Sequence, residues 1–280
     1  MLIMKLNAKT SLFLVIGAAI LTYSCNKNQV AYEDLPTLKT EDKVVVDTME
    51  QADAAYTQVY TVVHTEVSNV EDQAFKTGEA GGLASDPNAV VTYEIDSTDK
   101  ANKYVSLVTI SYPTASVWNG FTKQGKIIIT KNGKITTKGT LCNISFENFK
   151  INGLPLTGTP TLENKGFVNG TYTMALKMND GVYAYAVKIS LDLTLTFTIS
   201  NGSYALAMSG TESITVAGNP ACAISYIKPL MRSLDCNFIK EGVKEIKQGS
   251  NKNVLDYGDG TCDNKSTFLL NGTTYQYTQQ

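Results

Sequence analysis

The chain has 280 residues, of which 18% are charged, and a formal net charge of −2 at pH 7. This charge argues against a nucleic-acid-binding protein, which needs a strongly basic surface. The single histidine, His64, excludes zinc sites of the H-E-x-x-H kind, and the length suffices for one large or two modest domains.

Residues 1–24 have the features of a secretory signal peptide. Lys5 and Lys9 precede the apolar run SLFLVIGAAIL, which is too short to cross a bilayer that needs about 20 residues. The run leads to Ser24 and Cys25, which resemble a slack form of the lipobox found in Bacteroidota lipoproteins. We therefore expect cleavage before Cys25 and attachment of lipid to this cysteine, which would anchor the chain in a membrane.

The residue after the cysteine bears on the destination of the protein. Asn26 stands there, and by analogy with enterobacterial sorting this residue does not retain a lipoprotein at the inner membrane. We therefore expect a lipid-anchored protein of the outer membrane, on either its periplasmic or its outer side.

A polar tether at 25–40 precedes a helical segment at 41–76. Apolar residues recur there at steps of three and four, which predicts an amphipathic helix whose apolar stripe covers another part of the protein. These residues are Val45, Met49, Ala52, Tyr56, Val59, Val63, Val67 and Val70.

Three glycines and Pro87 mark residues 77–88 as a linker. Residues 89–280 then predict a mainly β domain, in which apolar and polar residues alternate from Tyr183 to Ile199. We expect a long-stranded antiparallel meander, curled into a half-barrel or folded as a sandwich, preceded by the N-terminal helix.

Hairpin turns are predicted where Asn-Gly pairs separate strand-like segments, because both residues tolerate the positive φ of a tight turn. The pairs lie at 119–120, 132–133, 152–153, 169–170, 201–202 and 271–272. Asn179, Asp180 and Gly181 predict one more turn, ahead of the long alternating run.

Catalytic patterns are not recognisable in the chain. His64 lies in the helical segment without a nucleophile motif, so we expect neither enzymatic activity nor a cofactor. A pair of carboxylates brought together from distant strands remains the alternative, with Glu147, Asp192 and Glu212 as strand-borne candidates.

Four cysteines follow Cys25 in the chain. They are Cys142, Cys222, Cys236 and Cys262. An even number in an exported protein favours disulfides, and three pairings are open.

The stretch VLDYGDGTCDNK, residues 254–265, offers a candidate calcium site at Asp256, Asp259 and Asp263. The EF-hand pattern fails because Gly258 and Gly260 occupy positions that need oxygen ligands. A tight turn is the favoured interpretation, and no metal is expected.

The C-terminal region resembles a group of uncharacterised Bacteroidota lipoproteins. The resemblance rests on ISYIKPLMRSLDCNFIKEGVKEI and on the D-Y-G-x-G-x-C-D-N hairpin in VLDYGDGTCDNKSTFLLNGTTYQYT. It implies a disulfide between Cys236 and Cys262, with Cys142 and Cys222 paired with each other or reduced. The group brings no known activity.

The function expected from the sequence is a lipid-anchored, non-enzymatic structural or interaction module of the cell envelope. Its expected partners are the membrane, through the N-terminal lipid, and a glycan, a lipid or another envelope protein. The alternative is a protein that binds a glycan or a lipid on the concave, tyrosine-bearing face of the curled sheet.

Overall fold

The computed structural model describes residues 31–76, 86–98, 103–118, 120–200, 203–233, 236 and 238–279. Cys25, the signal segment and most of the predicted linker lie outside these residues. A short 3-10 helix, Tyr32–Asp34, belongs to one unit of the chain, and Leu35–Gln280 forms a second, compact unit.

The predicted fold class is confirmed, because one N-terminal helix precedes an antiparallel meander in the described residues. Helix α1 spans Thr40–Lys76. The strands are β1 (Val90–Asp96), β2 (Tyr104–Trp118), β3 (Phe121–Lys131), β4 (Leu141–Ile151), β5 (Leu154–Thr157), β6 (Thr161–Val168), β7 (Thr171–Tyr183), β8 (Val187–Ser200), β9 (Ser203–Val216), β10 (Cys222–Ser233), β11 (Glu241–Gln248), β12 (Asn251–Asp259), β13 (Lys265–Leu270) and β14 (Thr273–Thr278).

The strands follow one another through the sheet in chain order, from β1 at one edge to β14 at the other. Strands β5 and β6 are two pieces of one interrupted path, because both pair with β4 and β7. At the β14 edge, Thr37 adds a parallel bridge to Gln276, so the chain that enters α1 runs along this edge.

Two prolines lie inside interior strands at points where the pairing is interrupted. Pro113 falls in the register shift of β2 between Tyr112 and Ser116, and Pro229 falls in that of β10 between Ser225 and Leu230. Proline has no backbone N–H to donate to the hydrogen-bond ladder of a sheet, so it is accommodated at such irregularities. Bulges also bend a strand and increase its twist, which suits a sheet that curls.

The curled sheet wraps around helix α1. Contacts reach the helix from widely separated strands: Glu71 binds Lys131 of β3, Thr57 lies against Met208 of β9, and Asp53 binds Lys244 of β11. The predicted stripe is therefore buried except for Val45, which is partly buried, and residues such as Val62 on other faces of the helix are buried as well. No helix in the described part of the chain is both long and apolar enough to cross a membrane.

Three predicted Asn-Gly turns are confirmed in full. Both residues have positive φ at 152–153, 169–170 and 271–272, and each pair joins two adjacent strands. The pair at 132–133 lies in a longer connection between β3 and β4. The pair at 201–202 and residue 119 lie outside the described residues.

The turn predicted at Asn179, Asp180 and Gly181 is wrong, because β7 continues through these residues to Tyr183. A Cβ at Gly181 would lie 2.7 Å from the hydroxyl of Tyr56 on α1, so this glycine allows close packing on the helix. Asp180 accepts hydrogen bonds from the amide and the hydroxyl of Thr159. These three residues therefore form an irregularity within strand β7 and not a turn between two strands.

The observed turn lies at Ala184 and Tyr185, both of which have positive φ. The alternating run from Tyr183 to Ile199 is accordingly divided between the end of β7 and the whole length of β8. Local sequence favoured Asn-Asp-Gly as the turn, but β7 runs past it, and Gly181 is closely packed there against neighbours that include Tyr56 of α1.

Candidate ligand-binding cavity

A cavity of about 530 Å³ lies beside residues 50–57 of α1. This volume is within the range of about 300–1,000 Å³ that is common for small-ligand sites. Helix residues at spacings of three and four, Glu50, Asp53, Ala54 and Thr57, line one side of it. The opposite walls include Phe121, Asn152, Leu154, Tyr183, Met208, Arg232, Phe238, Ile239, Tyr277 and Gln279.

The helix side of the cavity carries a network of buried charges. Lys244 of β11 donates to Glu50 at 3.0 Å and to Asp53 at 2.6 Å. The Tyr257 hydroxyl donates to the second oxygen of Glu50. The ammonium of Lys244 also lies 5.4 Å from the ring centre of Tyr226 and 5.7 Å from that of Tyr257, within the range of a cation–π contact.

Lys244 is fully charged in this environment. Burial lowers the pKa of its ammonium, but attraction to Asp53 and then Glu50 outweighs burial, so the pKa lies well above its ordinary value. The side chain is 1% exposed. The lysine therefore acts as a fixed positive charge at neutral pH and not as a base.

Glu212 of β9 is a buried acid beside this network. It is 4% exposed, and neither of its carboxyl oxygens has a hydrogen-bond partner of normal geometry. Burial, followed by repulsion from Asp53, raises the pKa of Glu212 well above its ordinary range. The protonated form of this carboxyl is therefore favoured.

The far wall of the cavity is held in place by specific bonds. The side-chain amide of Gln279 accepts from the Ile239 amide and donates to the Ile239 carbonyl, both at 3.0 Å. Three residues before Ile239, the same connection between β10 and β11 is joined to the β12–β13 connection by the disulfide of Cys236 and Cys262. These bonds indicate a pre-formed site.

Two further buried lysines hold other parts of the structure together. Lys131 of β3 binds Glu71 of α1, whose carboxylate also accepts from the Ile135 amide at 3.0 Å. Lys123 lies 3.4 Å from Asp86, and both side chains are 1% exposed. These pairs lie away from the cavity lining and join the sheet to α1 and to the segment before β1.

The disulfide implied by the sequence resemblance is present. Cys236 and Cys262 are bonded, with their Cα atoms 5.8 Å apart. Cys142 and Cys222 are both free and buried, so the two alternatives left open for them resolve in favour of reduced thiols. Burial raises the pKa of the Cys142 thiol to about 12, which makes it unreactive at neutral pH.

The candidate calcium ligands instead stabilise local turns. The carboxylates of Asp256, Asp259 and Asp263 each accept the backbone amide two residues further along the chain. Within the described ranges, no three acidic, histidine or cysteine side chains are grouped so that they could hold a metal ion.

Glu212 is the one strand-borne acid from the sequence analysis that the structure places beside a second buried acid. Glu147 and Asp192 form exposed ion pairs with Lys126 and Lys177. Sequence reasoning missed Glu50, Asp53, Lys244 and Arg232 as members of a site. Asp53 was the residue that could have indicated the site from the sequence. It lies four residues after Met49 and three before Tyr56, so it falls on the apolar stripe of the helix.

Comparison with known proteins gives no relatives: the chain matches no family model, no curated protein and no solved structure.

Proposed function

We propose that this protein is a lipid-anchored, non-enzymatic binding protein of the outer membrane, whose β-domain takes a small polar ligand in the cavity beside Glu50 and Asp53. The observation that carries the proposal is the pre-formed cavity, where two carboxylates and the guanidinium of Arg232 converge between aromatic walls. A few placed polar groups within a largely apolar lining are typical of small-ligand sites.

The cavity replaces the concave face of the sheet as the binding region. Helix α1 fills that face, since its residues from Val46 to Val70 are largely buried beneath the strands. A ligand therefore has access to the space beside α1 rather than to an open groove.

Binding is favoured over catalysis by the contacts of the charged groups. Glu50 and Asp53 are both bound to Lys244, which occupies carboxylate oxygens that a catalytic acid or base would need free. Glu212, the buried acid of β9, does not line the cavity. A hydrolase built on these acids would need one of them to be released from its partner.

Filling the cavity tests the binding proposal. Ala54 lines the cavity and is only partly buried, so Ala54→Phe adds bulk without removing a contact. Native mass spectrometry would be run with a panel of neutral, amino and uronic oligosaccharides and short-chain phospholipids. We expect a complex with the natural chain that Ala54→Phe weakens more than about tenfold, because the side chain takes the ligand's place.

The matched control is Val44→Phe, which adds similar bulk at a position of α1 that is 57% exposed and outside the cavity lining. This variant is expected to bind like the natural chain. Equal binding by Ala54→Phe and the natural chain would show that the ligand lies elsewhere and would overturn the proposal.

The lipid anchor is tested separately, on protein extracted from membranes. The expected intact mass is that of a chain beginning at Cys25 with added lipid, and Cys25→Ser is expected to remove the lipid mass and release the protein from the membrane fraction. A mature chain that begins at Cys25 without added mass would contradict the anchor and leave the binding proposal unchanged.

A further inference from the structure

The charges around the cavity are balanced without a ligand. Glu50 and Asp53 supply two negative charges, and Lys244 supplies one positive charge. Arg232 supplies the second: burial lowers its pKa and Asp53 partly restores it, and a guanidinium remains protonated at neutral pH. Glu212 does not line the cavity. A charged ligand would unbalance this partly buried set, at a cost in free energy.

The same groups suit a ligand rich in hydroxyls. Each carboxylate oxygen accepts two hydrogen bonds, so Glu50 and Asp53 retain acceptor capacity beyond Lys244. Arg232 and the amide of Gln51 are donors in the lining. A hydroxyl both donates and accepts, so it can satisfy either kind of group, and the aromatic walls at Phe121 and Phe238 offer apolar faces to the C–H side of a sugar ring.

An exposed aromatic residue follows two positions after Tyr183, which lines this cavity. Tyr185, at the turn between β7 and β8, is 83% exposed. The turn is fixed beside the cavity lining, because the amide of Ala184 donates to the carbonyl of Pro155 at 3.0 Å. Pro155 follows Leu154, and both Leu154 and Tyr183 line the cavity.

Tyrosine is an unusual choice at this position. Ala184 has φ of 54° and Tyr185 has φ of 64°, a region in which glycine or asparagine is normally favoured. Apolar side chains are also exposed near the β2–β3 and β4–β5 turns, since Val117 is 69% exposed and Leu154 is 37% exposed. Asn152 and Thr122 join those two turns by backbone and side-chain hydrogen bonds.

We propose that the cavity binds the end of a neutral oligosaccharide and that the chain continues outwards across Tyr185, whose ring stacks on a sugar outside the cavity. This inference rests on the proposed binding function and adds to it the class of ligand and an outer subsite. The aromatic ring supplies the stacking surface, and Leu154 connects the cavity to the outer position.

Chain length is the measurement that tests the outer subsite. Calorimetry would compare a neutral disaccharide with the hexasaccharide of the same linkage, for each backbone in a panel of glucans, mannans and xylans. We expect the hexasaccharide to bind about tenfold more tightly, as one aromatic stacking contact provides. Tyr185→Ala is expected to remove this advantage and to leave disaccharide binding within about twofold.

Phe167→Ala is the matched control, because Phe167 is also an exposed aromatic residue, 55% exposed, near the end of β6 and outside the cavity lining. It is expected to preserve the chain-length advantage. Circular dichroism of each variant verifies that the fold is retained.

The outcomes separate the two proposals. Equal affinity for both lengths, no effect of Tyr185→Ala, or Ala54-dependent binding only of uronic sugars, amino sugars or phospholipids would overturn the oligosaccharide inference while the binding function stands. Failure of the natural chain to bind any of these probes would overturn both.

Discussion

Replacing Lys244 with methionine is expected to lower the free energy of unfolding by about 3–5 kcal/mol. The lysine side chain is 1% exposed and is the cation bound to both Glu50 and Asp53. Methionine fills a similar volume but leaves the two carboxylates without this partner in a buried setting. Urea unfolding at pH 7, monitored by circular dichroism, gives the difference if the slope with urea is unchanged.

Lys177→Met is the matched control. Lys177 and Asp192 form an ion pair across adjacent strands, at 3.2 Å, but their side chains are 60% and 64% exposed. Solvent screens such a pair, so its loss is expected to change the free energy of unfolding by less than about 1 kcal/mol.

The double variant Lys244→Met with Asp53→Asn identifies the origin of the cost. If the loss of stability in Lys244→Met comes from a buried carboxylate left without its cation, removing the charge of Asp53 restores part of the free energy of unfolding. The effects of the two substitutions are then not additive. A loss below about 1 kcal/mol for Lys244→Met alone would show that the network contributes little to stability.

The sequence predicted the architecture because the sheet follows local rules. Alternation of apolar and polar residues and the Asn-Gly turns are both encoded within a few residues, and the strands pair mostly with their neighbours along the chain. The wrong turn was predicted at Gly181, where the chain packs closely against neighbours that include a distant residue, Tyr56. Such a contact leaves no local pattern in the sequence.

The cavity could not be predicted in the same way, because its residues come from the helix, from the β2–β3, β4–β5, β7–β8 and β10–β11 hairpins, from β9 and from the C-terminal residues. Asp53 on the apolar stripe was a usable signal, since a buried acid needs a partner. Lys244 was a weaker signal. It alternates in step with the buried Ile246 of β11, but β11 has too few residues for alternation alone to reveal an inward-facing lysine. What brings Asp53 and Lys244 together is the curl of the whole sheet.

The single histidine allows one contribution to acid sensitivity to be isolated. His64 is stacked on Phe197, with ring centres 4.6 Å apart, and meets the edge of Tyr172. Burial lowers the pKa of its imidazole from 6.5 to about 4. Between these values the unfolded chain binds a proton that the folded chain does not, so stability is fully present above pH 6.5 and falls as the pH approaches 4.

His64→Phe is expected to remove this pH dependence, since phenylalanine can stack on Phe197 and does not titrate. The difference in unfolding free energy between the natural chain and the variant should change by about 3 kcal/mol between pH 7 and pH 4, in favour of the variant at low pH. Carboxyl groups titrate in both proteins and cancel in the difference. Urea unfolding at several pH values measures it, and a difference that stays constant with pH would mean that His64 titrates in the folded protein as it does in the unfolded chain.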